Sequence, residues 1–208
     1  MARMTETVVA YLDYLCPYAW RGAEVAAMVA RPLGLRFEWR HFSVIQSDHP
    51  PGDGWQLWNA AIDDDDPLGG RGLAPFLAGC AARRQGPEAF DRFHLALLRA
   101  RHVEGLPLTR ATNLRVAEGS GLQLARFERD LADPELRTCL AQEHHQAVAR
   151  DVFGTPTFAF ADGHVAYLRV RHLPADAGEA VRLFGAFRDL LSRFPDLETV
   201  RRPRPPRN

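Results

Sequence analysis

The 208-residue sequence predicts an α/β protein: a small mixed strand-and-helix core into which an all-helical domain is inserted. Three observations predict this class. Residues 7–40 read as strand, helix, strand; residues from about 53 to 150 carry helical periodicity with no strand signal; and residues 157–194 read as a hairpin followed by a helix.

The first strand is "TVVAYLDYL", residues 7–15, a β-branched, aromatic and apolar run of the kind that is buried on both faces. Cys16 stands where a helix cap would, and Pro17 suits the first helical position, where its missing N–H has no partner anyway. An alanine-rich helix then runs to "RPLG". In "LRFEWRHF" Leu35, Phe37 and Trp39 alternate with Arg36, Glu38 and Arg40, which predicts a strand with one buried face.

The helical stretch opens near Asp53. Leu73, Phe76, Leu77 and Cys80 form one stripe, and Phe90, Phe93, Leu97 and Leu98 another after Pro87. Asp133 and Pro134 read as the cap and first turn of a helix carrying Leu136, Cys139 and Leu140. Asp162-Gly163 between two apolar runs is a hairpin signal. Asp176 and Glu179 make a capping box for a last helix with the apolar face Val181, Phe184, Phe187, Leu191 and Phe194, closed by Pro195. The predicted organisation is therefore a core of residues 1–52 and 151–195, a helical insertion at 53–150, and a flexible, basic, proline-rich tail at 196–208.

Composition narrows the chemistry. Zero formal net charge offers no attraction for nucleic acid or an anionic membrane. All 26 basic residues are arginine, which removes lysine nucleophiles. The start lacks the uninterrupted apolar core of a secretory signal and reaches Cys16 at once. No apolar run approaches the roughly 18 residues of a membrane helix. The expected location is cytoplasmic, where the three cysteines stay reduced. Their odd number and spacing predict no metal site, and the paired His144-His145 lacks ligand spacing.

Two motifs give the element order a specific likeness. Cys16-Pro17-Tyr18-Ala19 lies at the first strand–helix junction, and "VFGTPTF", residues 152–158, directly precedes the hairpin. Together they resemble the DsbA-like thioredoxin superfamily, in which FrnE-type oxidoreductases, kappa-class glutathione transferases and 2-hydroxychromene-2-carboxylate isomerases are similar to one another. The resemblance runs from about Val8 to Phe194 and implies a thioredoxin fold with the helical domain inserted. It also implies a cis Thr155–Pro156 bond beside the active residue. Gly154, Thr155 and Pro156 would then bind substrate, with the Thr155 backbone turned outward to take an extended ligand by main-chain hydrogen bonds.

Cys16 is the expected catalytic nucleophile. Only a thiolate attacks, and helix N-termini bring cysteine pKa values into the range of about 3.5–7.5. Partial positive charge at the helix start, Pro17 to Ala19, and the unpaired N–H groups that follow the proline favour the thiolate, while an ionised Asp13 nearby would oppose it. In a dithiol enzyme a second cysteine would stand at Ala19 and release product by attacking the mixed disulfide. Its absence predicts a monothiol thiol-disulfide oxidoreductase, with glutathione or another low-molecular-weight thiol as co-substrate and no bound cofactor. A disulfide or an electrophile would be the substrate, with no nucleic-acid or membrane partner.

Two other classes stay open. Pro17-Tyr18-Ala19 resembles the isomerases and transferases, which carry serine at the position of Cys16 and use glutathione on electrophiles. A binding protein that kept the fold and lost turnover is the third. Cys80 and Cys139 read as core residues on apolar stripes, although either would serve as a resolving thiol if it reached Cys16. Tyr18 donates a hydrogen bond in the site or packs on its helix. Trp55 and Trp58 line a cleft facing Cys16 or pack between helices, and the sequence does not place His41. The acidic run at 63–66 reads as a solvated turn, and "PLGGRGLAP", residues 67–75, follows no strand and so makes a poor phosphate loop.

Overall fold

The computed structural model describes residues 6–49, 52, 54–62 and 66–202. Three residues of the acidic run, 63–65, and the last part of the tail, 203–208, lie outside the described residues.

Strand β1 (Glu6–Leu12) is parallel to β2 (Leu35–His41), with Glu6 opposite Leu35 and Leu12 opposite His41. Parallel neighbours need a crossover, and helix α1 (Pro17–Leu33) supplies it. Leu35, Phe37 and Trp39 are buried while Arg36 is exposed, as the alternation predicts.

The order along the chain continues with α2 (Val44–Asp48), a 3₁₀ turn at Leu57–Asn59, α3 (Leu73–Arg83), α4 (Pro87–His102), α5 (Arg110–Gly119), α6 (Leu124–Leu131) and α7 (Glu135–Val148). It closes with β3 (Thr157–Ala159), β4 (Val165–Tyr167) and α8 (Ala177–Arg193). The sheet order is β2-β1-β3-β4, with β3 antiparallel to both β1 and β4. This is the thioredoxin-type arrangement of a mixed sheet with helices, as predicted.

The hairpin turns through residues 161–163: the Phe160 N–H donates to the His164 carbonyl at 2.8 Å, and Gly163 takes φ 94°. A three-residue loop ending in a left-handed glycine replaces a two-residue turn. At the start of α8 the Asp176 carboxylate accepts from the Glu179 N–H at 2.8 Å. Glu179 returns the bond one residue further out than a standard capping box, accepting from the Ala175 N–H at 2.7 Å. Phe184 is fully buried, packed against Phe37 and Phe158, but Phe194 is not part of that face: it caps the C-terminus and is 57% exposed.

Three further expectations need correction. The helical stretch does not open near Asp53; regular helix resumes only at Leu73, after a segment in which the 3₁₀ turn is the one helical element among the described residues. Helix α2, too short for periodicity to register, was not anticipated. Helix α3 is buried on nearly every side rather than along one stripe, because α4, α6 and α7 all pack on it. One hydrophobic core runs from Val8, Phe37 and Phe158 into Phe76, Phe93 and Phe127 of the helices, so sheet and helices share an interior.

Candidate active site

The loop from β1 to α1 is held by bonds that the chain makes locally and by bonds from the helices. Asp13 is buried, and its two carboxylate oxygens accept from the Leu15 N–H at 2.8 Å and the Val44 N–H at 2.9 Å. Burial raises its pKa to about 6 against the pull of those two donors. The Cys16 N–H donates to the Asp13 carbonyl, and the His102 ring of α4 bonds the Tyr14 carbonyl at 2.9 Å. His102 in turn stacks on Trp20 of α1, whose indole N–H donates to Glu24. Arg99 of α4 closes the set, donating to both oxygens of Glu24 at 2.6 and 2.7 Å.

Cys16 is the N-cap of α1, with extended backbone (φ −88°, ψ 115°) and Pro17 in the first turn. Its side chain caps no backbone N–H, so the sulfur is left to face another part of the chain. That part is Thr155. The Cys16 thiol donates to the Thr155 carbonyl oxygen at 3.3 Å, and the Thr155–Pro156 peptide bond is cis. Gly22, one turn into α1, makes the approach possible: a Cβ there would lie 2.4 Å from Pro156 Cγ. Thr155 itself is 1% exposed, so its carbonyl is turned inward to the sulfur and not outward to solvent. Thr157 seals the segment from below, its hydroxyl donating to the Gly154 carbonyl at 2.7 Å.

The open side is aromatic and cationic. Arg169, beyond β4, places its guanidinium 3.7 Å from the Tyr18 ring centroid and within reach of Tyr167. Burial alone would lower the Arg169 pKa, but the bond to the Tyr18 hydroxyl and the neighbouring Tyr167 and Cys16 raise it. Tyr167 stacks edge-on with Phe153, which is 65% exposed, and lies over Gly154. Cys16, Tyr18, Gly154, Thr155 and Pro156 therefore meet in one place, with Ala19 buried behind them. Sequence reasoning missed Arg169, Tyr167, Phe153 and Gly22. None carries a local signal of its role; only the strand pairing of β3 with β4 and the packing of α1 bring them in.

Other candidates lie elsewhere. Trp58 is buried against His144 and His145 of α7, and Trp55 stacks on His49 beneath the Arg71 guanidinium. In the glycine-rich loop Gly69, Gly70, Arg71 and Gly72 all take positive φ. The concavity of N–H groups such a run creates is filled by Asp66, which accepts from the Leu68 and Gly70 N–H groups at 2.9 and 2.7 Å. A phosphate has no place there.

His41 is fully buried at the end of β2, between Tyr14 and a second cluster. Its Nδ1 lies 2.8 Å from Glu143 Oε2 and 3.5 Å from Cys80 Sγ. His41, Cys80 and Glu143 place potential ligand atoms within 4.8 Å of one another. Glu143 is already saturated, accepting from the His41 backbone N–H at 3.0 Å, from the ring and from Arg83. Burial would raise the Glu143 pKa, but the charge and bonds of His41 and the charge of Arg83 hold it at about 2. Facing a carboxylate, Nδ1 carries the proton and offers no lone pair. The donor set fits an ion-pair network rather than a metal cage.

The chain has relatives of known structure. The model of the DSBA-like thioredoxin domain family matches residues 77–183, a stretch that includes Thr155 and Pro156 and begins beyond Cys16. An uncharacterised protein of Mycobacterium tuberculosis, Rv2286c, is 25% identical over 207 residues, 96% of this chain and 83% of that one. A 2-hydroxychromene-2-carboxylate isomerase structure superposes with TM-score 0.61 at 17% identity, covering 93% of this chain and all of that one. A cytosolic disulfide reductase, DsbM of Pseudomonas aeruginosa solved with GSH, gives 0.59 at 20% identity over 88% and 99%. A thioredoxin-like oxidoreductase of Silicibacter pomeroyi gives 0.54 at 25% identity over 94% and 89%. Among the described residues no helix is long and apolar enough to cross a membrane.

Proposed function

This chain belongs to the DSBA-like thioredoxin domain family, and on that premise we propose that it is a cytoplasmic thiol-disulfide oxidoreductase working through one thiol, Cys16. The observation that carries the reading is the meeting of the Cys16 sulfur with the Thr155 carbonyl beside Pro156 at the start of α1. The Cys16 thiolate attacks a substrate disulfide, and one half leaves as a thiolate. The positive end of the α1 dipole and the Arg169 guanidinium favour negative charge at this end of the helix. Ala19 is fully buried and has no sulfur, so the mixed disulfide waits for a second molecule. A small thiol such as glutathione then attacks the Cys16 sulfur, releasing the second substrate thiol and leaving Cys16–S–SG; a second glutathione attacks the glutathionyl sulfur, regenerating Cys16 and leaving as oxidised glutathione.

Arg169, Tyr18 and Tyr167 suit the anionic end of such a thiol, with Phe153 as an apolar rim. The same cluster supports a second reading, in which a bound thiol adds to an anionic aromatic electrophile. Reduction of insulin by excess glutathione separates the two. Acceleration by the protein and its loss in Cys16→Ser support the oxidoreductase; conversion of an electrophile without insulin reduction supports the second reading.

A further inference from the structure

Cys80 and Cys139 do not contact Cys16. Cys80 lies on α3 and Cys139 on α7, two helices that pack together, and both line one cleft of about 600 Å³ with Arg83, Arg84, Thr138 and Gln142. Cys80 is buried and turned toward His41, whereas Cys139 is half-buried at the cleft wall. Cys80 is in the hydrophobic core and Cys139 packs against it, as helical spacing predicts, while Cys139 also forms part of the cleft wall.

We propose that Cys80 and Cys139 form a second thiol pair, which a small-molecule disulfide entering the cleft oxidises to a reversible disulfide joining α3 to α7. The two cysteines face one cleft from two packed helices, and each shifts the other's ionisation in the opposite direction. The bond from Cys80 lowers the Cys139 pKa to about 7 against the effect of burial, while Cys80 is pushed well up. Cys139, half-buried at the cleft wall, is the sulfur that a disulfide in the cleft meets first and so the attacking one; Cys80, buried behind it, is the resolving one. In the first step the Cys139 thiolate breaks the S–S bond of RSSR, forming Cys139–S–SR and releasing RS⁻. In the second, Cys80 displaces the remaining RS group, and the Cys80 proton leaves with it as RSH. Two protein thiols are oxidised and one disulfide is reduced to two thiols. Arg83, which sits over Phe90 at 4.4 Å, lines the cleft beside both sulfurs, but its charge is offset there by its partner Glu143. Arg84 lines the same cleft but is paired with Asp133 at 2.7 Å and Glu135 at 3.4 Å, so the cleft selects for a small disulfide by access rather than by charge.

The test uses the full chain with Cys16→Ser, incubated with oxidised glutathione, alkylated under denaturing conditions and digested with trypsin. The expected product is a disulfide-linked pair of peptides, 72–83 and 138–150, lost on addition of dithiothreitol. A further Cys139→Ser substitution, at a half-buried position, abolishes the pair. Alkylation of both cysteines after oxidation overturns the proposal, as does a lasting glutathione adduct on Cys139 with Cys80 free. Stoichiometric uptake of zinc chloride that protects both thiols from alkylation also overturns it, in favour of a metal site.

Discussion

The Cys16 thiol donates a hydrogen bond at 3.3 Å to the carbonyl oxygen of Thr155, a residue 139 positions further along the chain. That one contact joins the start of α1 to the segment that precedes β3. It depends on how closely α1 approaches Pro156.

Gly22 sets that approach. An added Cβ would lie 2.4 and 2.7 Å from the Pro156 ring, and neither partner is the end of a flexible chain. Gly22→Ala is expected to destabilise the fold by about 1–3 kcal/mol, as overpacking does. It should also slow the reaction of Cys16 with a small disulfide more than it changes that of Cys139. Urea unfolding and thiol-specific alkylation check the two parts.

Arg169 lies closer to the Tyr18 ring than Arg21 does, at 3.7 against 5.2 Å. Arg169→Gln is expected to slow attack on an anionic disulfide, such as dithiobis-nitrobenzoate, by about two- to fivefold, the effect of an exposed charge pair. Attack on neutral dithiodipyridine should change little. Equal slowing of both reagents would mean that Arg169 shapes the site without reading charge.

Stability should fall in acid, through groups whose signs differ. The buried rings of His94 and His144 have pKa values lowered to about 3 and about 4, chiefly by burial. Their contributions are complete above the ordinary histidine value and are lost as pH falls through the folded values. Asp13, raised to about 6, acts oppositely: its contribution is complete below the ordinary carboxylate range and is lost as pH rises through 6. Glu143, held at about 2, stabilises above the ordinary glutamate value and ceases to as pH falls toward 2. The urea midpoint is therefore expected to decline moderately from pH 6.5 to 4 and steeply below it. Asp13→Asn, which removes the opposing group, should steepen the decline between pH 6 and 4. A midpoint that rises on acidification would contradict these assignments.

Arg99 and Glu24 bind α4 to α1 behind the site. Glu24 is buried, so Arg99→Ala leaves its carboxylate without its main partner. A loss of about 2–4 kcal/mol is expected, somewhat below that of a fully buried pair because Arg99 is half-exposed. Glu24→Gln with Arg99→Ala should recover part of it, as thermal unfolding of the three variants would show.

The parts of this structure that local rules govern could be read from the sequence. Pro17 after Cys16 marks a helix start because the first turn has no use for the N–H that proline lacks, and period-two alternation in Leu35, Phe37 and Trp39 needs no tertiary knowledge. The likeness of Cys16-Pro17 and Thr155-Pro156 to a known family brought two distant segments together in advance. What could not be read depends on packing between elements. Arg169 is an ordinary arginine after a strand until β3–β4 pairing swings it over Tyr18. Gly22 is one small residue in an alanine-rich helix until Pro156 occupies its missing side chain's space. Cys139 shares the spacing of Leu136 and Leu140, yet the helix turns it to a cleft, because spacing gives a face without saying what lies opposite. The predicted helical stretch extends back to about residue 53, but Trp58 is anchored by α7 in a 3₁₀ turn.

The central claim is that Cys16 exchanges with small disulfides. Its most direct test is intact mass and peptide mapping of the Cys139→Ser protein after brief exposure to oxidised glutathione at neutral pH. The account predicts one glutathionyl group, located on Cys16 and removed by reduced glutathione. A native protein left unmodified at Cys16, while the urea-unfolded chain takes up the group there, would contradict it.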